Sequence, residues 1–255
     1  MKRLAILVVL TGLVAGCSES GMLESDNDTA VGGPFTASND ANLAKRPSST
    51  GDFEVTIVNM SHAQPLSPGV IVTHDGTARL FENGTMASEG IRLIAENGDP
   101  TTAIGALEGA GGVSDVIGTG APVHRRGGPG DNSLSVQVSA EPGAEYLSMA
   151  LMLICTNDGF VGLDSVPLPG GPETAVYFAA PYDAGTEYND ELSSSIVDPC
   201  GAIGPVAIPG DGLNDRTPTT DNVEPHPGIA GVGDLDPIAH QWRNRVAQVK
   251  IRRLR

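Results

Sequence analysis

Thr156-Asn157-Asp158-Gly159-Phe160-Val161-Gly162-Leu163-Asp164 and, further on, Tyr182-Asp183-Ala184-Gly185-Thr186-Glu187-Tyr188-Asn189-Asp190-Glu191 decide the reading of this chain. Each is a small acidic cluster. Each follows an apolar run that reads as a buried strand, Leu147 to Cys155 before the first and Ala175 to Ala180 before the second. Acids on loops just past adjacent buried strands can converge. Converging carboxylates repel, and a hard cation between them relieves the repulsion. Ca²⁺ suits such a place because it takes about six to eight oxygen ligands in irregular geometry. The plainer alternative is a pair of solvated acidic loops.

The stretches around the clusters point to strands. Phe53 to Met60 alternates apolar and polar residues, and Val70 to His74 is a second strand, with a turn at Gln64 to Gly69 between them. Ser88 to Glu96 has the spacing and the starting serine of a short helix, and Thr101 to Gly112 reads as a second one. Val113 to Ile117, Leu134 to Val138, Tyr146 to Cys155, Phe160 to Leu163 and Val176 to Ala179 supply further strands, and Arg245 to Arg255 a last one with a basic outer face. Ser193 to Asp221 is long, proline-rich and patternless, which inside a domain signals a pinned or functional segment. With 33 Gly, 19 Pro and 18% charged residues, the 255-residue chain has the composition of a loop-rich β protein rather than a helix bundle.

The net charge is −16, and loss of Lys2 and Arg3 with residues 1–16 takes it to −18. Such a surface repels nucleic acid and anionic headgroups, which excludes nucleic-acid binding as a main role. Lys2-Arg3 followed by apolar Leu4 to Val14 and then by Leu13-Val14-Ala15-Gly16-Cys17 resembles a bacterial lipoprotein signal. The small Ala15 and Gly16 suit the peptidase, and Cys17 is the residue that would be acylated. The expected organisation is a signal peptide over 1–16, the acylated cysteine and a flexible tether over 17–51, and one domain over 52–255. Ser18 after the cysteine points to the outer membrane of a bacterial envelope by resemblance to enterobacterial lipoproteins. Of the two other cysteines, Cys155 ends a buried strand and Cys200 lies in a loop. They are candidates for a disulfide in an oxidising compartment, the alternative being a buried free thiol at Cys155.

The two acidic motifs, with the Phe53 to Asn59 strand, the Pro65-Leu66-Ser67-Pro68-Gly69 turn and the closing Val246 to Leu254 strand, resemble the spondin domain. This is the N-terminal module of animal spondins and mindin, found also in bacterial secreted proteins. The resemblance covers about residues 52–255. It implies an antiparallel β-sandwich similar to a C2 domain, all-β with one or two short helices and long loops, holding Ca²⁺ in loops at one end. Carried over, Asp158 matches the upstream aspartate ligand, and Asp183 and Glu187 match the two downstream acids. Asp164 and Asp190 are possible additional ligands. Two positions depart from the animal pattern: Glu187 stands where those proteins have Asp, and Gly159 where they have an aromatic residue.

Three functions are compatible with these residues. One is a lipid-anchored binding or adhesion module of the cell envelope, with an unknown protein or glycan partner. Another is a structural envelope protein whose Ca²⁺ serves only folding. The last is a metal-assisted hydrolase. Against the hydrolase stand the absence of a His-Glu-x-x-His pair and of a Gly-x-Ser-x-Gly elbow, so the chain is read as a non-enzyme. Among its histidines, His226 is the one that could approach the acids if the long loop folds back.

Overall fold

The computed structural model describes residues 49–208, 215–242 and 245–254, all within one unit, Ala44–Arg255. The lipoprotein signal, Cys17 and nearly all of the tether lie outside the described residues. The strands are β1 (Gly51–Asn59), β2 (Leu66–His74), β3 (Val113–Gly118), β4 (Ser133–Ala140), β5 (Tyr146–Leu153), β6 (Gly159–Pro167), β7 (Thr174–Asp183), β8 (Glu224–Pro225) and β9 (Ala247–Arg253). The helices are α1 (Glu89–Asn97), α2 (Thr101–Leu107) and α3 (Pro199–Ile203). The strands pair in the order β3-β2-β5-β6-β7-β9-β1-β4, with β8 added beside β7. Every pairing is antiparallel.

This one path folds into two layers because β7 serves both. Its first half, Thr174 to Ala179, pairs with β9, and its second half, Ala180 to Asp183, pairs with β6. The two ends of the path also meet: the Ser139 amide on β4 donates to Asp115 on β3 at 2.8 Å, and Thr73 Oγ1 on β2 donates to the Ser139 carbonyl at 2.6 Å. The result is a nearly closed all-β sandwich.

Two apolar cores follow from the strand patterns. The alternation in β1 sends Phe53, Val55 and Ile57 inward against Met149 and Leu151 of β5 and Val249 and Ile251 of β9. Each such fully buried side chain contributes roughly 1.5–3 kcal/mol. β2 and β5 are apolar on both faces because their outer face is also covered. Val70, Val72 and Ala150 pack under Ile91 and Ile94 of α1 and Ala103 of α2. α1 starts where Ser88 Oγ accepts the Ile91 amide at 3.2 Å, and it ends at Gly98 in the left-handed conformation.

The turn expected at Gln64 to Gly69 is instead the irregular start of β2, with the register shifting between Leu66 and Gly69. A side chain at Gly69 would run into the Ala150 carbonyl and the Leu151 side chain, so only glycine lets the two strands approach there. The closing strand forms between β1 and β7 and joins the two ends of the chain's β-structure.

Candidate metal centre

The two acidic motifs meet at one end of the sandwich, across three strands rather than two neighbours. β6 lies between β5 and β7, and Asp158 sits in the tight turn from β5 to β6. Thr156 Oγ1 forms that turn: it donates to the Leu153 carbonyl at 2.6 Å and accepts the Gly159 amide at 2.9 Å. Gly159 then pairs with Asp183, which brings the second motif alongside the first. A Cβ on Gly159 would lie 2.5 Å from Thr156 Oγ1 and 2.8 Å from His226 Cδ2. The local packing thus excludes the aromatic residue that the animal pattern has here.

Asp158 is fully buried and organises the second loop. Its Oδ2 accepts the Thr186 amide at 2.7 Å, the Glu187 amide at 3.0 Å and Thr186 Oγ1 at 3.3 Å. Its Oδ1 has no hydrogen-bond partner. Burial pushes the Asp158 carboxyl up to about 7, the charge of Asp183 adding to this and the loop amides opposing it. Asp183 is partly exposed and closes its own turn: Oδ1 accepts the Gly185 amide at 2.8 Å, and Oδ2 accepts Asn189 Nδ2 at 2.6 Å. Gly185 has φ +66°, and a Cβ there would meet the Asn222 carbonyl at 2.6 Å. The glycine of the second motif is therefore a steric requirement.

Glu187 is 2% exposed, and neither of its carboxylate oxygens has a partner. Burial pushes its carboxyl up to about 8, with the nearby charges of Asp158, Glu96 and Asp190 adding to this. The Asn157 amide beside it opposes the rise but gives its hydrogen bond to Asp190 Oδ1, at 3.0 Å. Asp190 also accepts the Leu192 amide at 2.9 Å and Ser195 Oγ at 2.9 Å, so it struts the loop. Asp164 lies five residues beyond Gly159 on β6, about 17 Å along an extended strand. Both its oxygens accept from Arg79 at 3.0 Å. The structure thus brings Asp158, Asp183 and Glu187 to one place, keeps Asp190 at its edge as a strut, and sets Asp164 apart in an ion pair.

The described end of the long patternless segment and the residues just after it fold back over these acids. Glu187 bridges to Pro218, the Tyr188 amide donates to the Thr217 carbonyl at 2.9 Å, and β8 pairs with the end of β7. Between the segment and the motif lies a cleft of about 670 Å³, whose acids are Asp183, Glu187, Asp221 and Glu224. Tyr188 and Asn189 line it as well, and Tyr188 is 62% exposed. His226 packs edge-on against Trp242 at 4.9 Å, and its Nδ1 accepts the Gly228 amide at 3.0 Å. Its Nε2 is buried and without a partner, and burial holds its pKa below the ordinary histidine value. Sequence reasoning missed Asp221 and Glu224. The one signal for Asp221 was the unusual length of the Ser193 to Asp221 segment, and Glu224 lies beyond it.

Among the described residues, one set of three candidate ligands has its atoms all within 4.8 Å of one another, and it is Cys155, Cys200 and His240. Asp183 and Glu187 line the cleft and Asp158 is buried behind the motif loop, and the three do not close to that distance. Cys155 and Cys200 form a disulfide with Cα atoms 5.1 Å apart, which fastens α3 to the end of β5 beside the acidic turn. No curated protein matches the chain. A family model, Spondin_N, matches residues 61–197, more than half of the 255. The matched span runs from the end of β1 through Asp158, Asp183 and Glu187, with the acid-bearing turns and the glycine-dependent loop that the geometry singles out. The chain belongs to the spondin N-terminal domain family.

Proposed function

We propose that this chain is a calcium-dependent binding module of the bacterial cell envelope, held at the membrane by acylated Cys17, and that it is not an enzyme. Family membership suggests an extracellular or secreted binding module. The finer reading rests on one observation above others: Asp158 and Glu187 are buried acids with three carboxylate oxygens that no donor satisfies, and Glu187 lines an open cleft. A buried carboxylate without donors must either take a proton or face a cation. The donor set is all oxygen, which suits Ca²⁺. Asp158, Asp183 and Glu187 would hold the ion. Asp158 would do so with the oxygen it does not spend on the loop amides, so that the ion and the loop rigidify each other.

The exposed Tyr188 on the cleft wall favours a binding module over a plain spacer, since an aromatic ring left in solvent beside a charged cleft is a natural contact for a protein or glycan. The lipid anchor rests on the Leu13 to Cys17 motif.

Thermal unfolding of metal-stripped protein, with and without Ca²⁺, tests the site. A ligand at about 100 times its Kd adds about 2.7 kcal/mol, which for a domain of this size raises Tm by roughly 5–10 °C. The expected rise appears in the wild type and is absent in Asp183→Ala/Glu187→Ala. An equal rise in both, or none in either, overturns the calcium reading and leaves the fold assignment standing.

A further inference from the structure

Cys155, Cys200 and His240 form a second constellation, none of them lining the cleft, and it is independent of the calcium reading. All three are fully buried. A ring nitrogen of His240 and the two sulfurs lie within 4.8 Å of one another. His240 Nε2 has no hydrogen-bond partner, an uncommon state for a buried imidazole. Its other nitrogen is fixed by one residue: Nδ1 lies 2.9 Å from the Asp236 amide and 3.2 Å from the Asp236 carbonyl. Nδ1 accepts the Asp236 amide, so in the disulfide form the neutral ring carries its proton on Nε2; with Nε2 on a metal that proton passes to Nδ1, where the Asp236 carbonyl accepts it, the arrangement that orients histidines on metals. Gln64 ties the group together, its Nε2 donating to the Cys155 carbonyl at 3.1 Å and the His240 carbonyl at 2.9 Å, and its Oε1 accepting the Cys155 amide at 3.0 Å.

We infer that Cys155, Cys200 and His240 form a redox-gated zinc site, closed while the sulfurs are bonded to each other and able to take one Zn²⁺ when they are reduced. A dithiol reductant gives the disulfide two electrons and two protons and leaves as its own disulfide. Zn²⁺ then binds both sulfurs as thiolates, releasing the two thiol protons to solvent, and takes the neutral imidazole as its third ligand. Two thiolates and one dication sum to zero charge, which a fully buried site favours over the net negative charge that Cu⁺ would leave. The sulfurs need part only to about 3.7 Å, the edge of a tetrahedron with Zn–S bonds of about 2.3 Å. A small exogenous molecule would fill the fourth position. In either state α3 stays fastened to the end of β5, by a covalent bond or through the ion.

The test uses the full chain with Cys17→Ser, so that Cys155 and Cys200 are the only thiols. It is reduced with a dithiol, freed of reductant by anaerobic desalting, and given Zn²⁺, or Co²⁺ as a spectroscopic substitute. The reduced chain should bind one Zn²⁺, gain thermal stability from it, and with Co²⁺ show sulfur-to-metal charge-transfer absorption in the near ultraviolet. That absorption reports thiolates and so separates this site from the acidic cleft. The oxidised chain should show none. His240→Ala should still form its disulfide but bind Zn²⁺ at least about tenfold more weakly when reduced. The inference is overturned by absence of the band, by affinity unchanged in His240→Ala, by a reduced chain that stays unfolded with Zn²⁺, or by binding of Cu⁺ without Zn²⁺.

Discussion

Glu187 and Glu191 lie on the same loop, and both are buried, at 2% and 4% exposure. Their surroundings are opposite. Glu191 Oε1 accepts the Ala230 amide at 2.6 Å, and Oε2 accepts the amides of Gly231 at 2.6 Å and Val232 at 3.0 Å. Glu187 accepts nothing. The first is a finished clamp that pins the segment after β8 to the motif loop. The second is an acid held in place with its partner left open. Burial of an acid therefore does not mark a site. The missing donors do, and the cleft beside Glu187 gives a cation the way in.

The largest effect should come from breaking the clamp. Glu191→Ala removes a carboxylate and leaves three backbone amides seeking acceptors, at a cost of about 3 kcal/mol or more. Urea unfolding should show the loss with or without Ca²⁺, because Glu191 is already satisfied by the protein. A loss that Ca²⁺ restores would place Glu191 among the ion's ligands and erase the contrast.

Glu187→Gln should behave in the opposite sense. In metal-free protein near pH 8 it removes an unfavourable buried charge and should leave stability equal or raise it, by on the order of 1 kcal/mol, while abolishing the response to Ca²⁺. The pH dependence carries the same sign. The ordinary values of 3.8 for Asp158 and 4.5 for Glu187 rise to about 7 and about 8 in the fold. The folded chain therefore holds more protons than the unfolded one between those limits. The contribution of these two acids to metal-free stability is full below about pH 4 and is lost as pH rises to about 8. Ca²⁺ binds the deprotonated acids and should flatten that fall. Because burial lowers the pKa values of His74, His226 and His240, which contribute in the opposite sense, the comparison is with the variant: a metal-free pH dependence identical in wild type and Glu187→Gln would mean that Glu187 is already paired.

Most strands were legible in the sequence because a half-buried strand writes its own period of two. Phe53, Val55 and Ile57 fix β1 without reference to anything distant. The helix at Ser88 was legible for a similar reason, its cap and its Ile91 and Ile94 being local. β6 and β7 run past the apolar cores first read for them, from Gly159 to Pro167 and from Thr174 to Asp183, because their polar ends are held by pairing rather than by composition. The site was half legible. Asp158, Asp183 and Glu187 sit in motifs with fixed short spacing, and Gly185 is forced by its own backbone. Asp221, Glu224 and His226 come from a segment whose position depends on bridges to Glu187 and β7, and nothing local records those contacts. The same holds for His240, which meets Cys155 and Cys200 only because the chain returns to Gln64.

Asp164 gives the smallest expected effect and the sharpest limit on the ligand set. It falls within the same first motif as Asp158, yet its carboxylate is bound by Arg79 with side-chain exposures of 46% for the arginine and 27% for the aspartate. Ion pairs this open are worth about 0.2–1 kcal/mol, because water screens the charges and two flexible side chains must be held still. Asp164→Asn should therefore shift stability by less than about 1 kcal/mol and leave the Ca²⁺-induced rise in Tm at its wild-type size. If the rise shrinks instead, Arg79 must release Asp164 when the ion binds, and the distance along β6 that separates the two aspartates must be bridged by a rearrangement of that strand. An unchanged rise confines the ion to the end of the sandwich where Asp158 already spends one oxygen on the loop and keeps the other free.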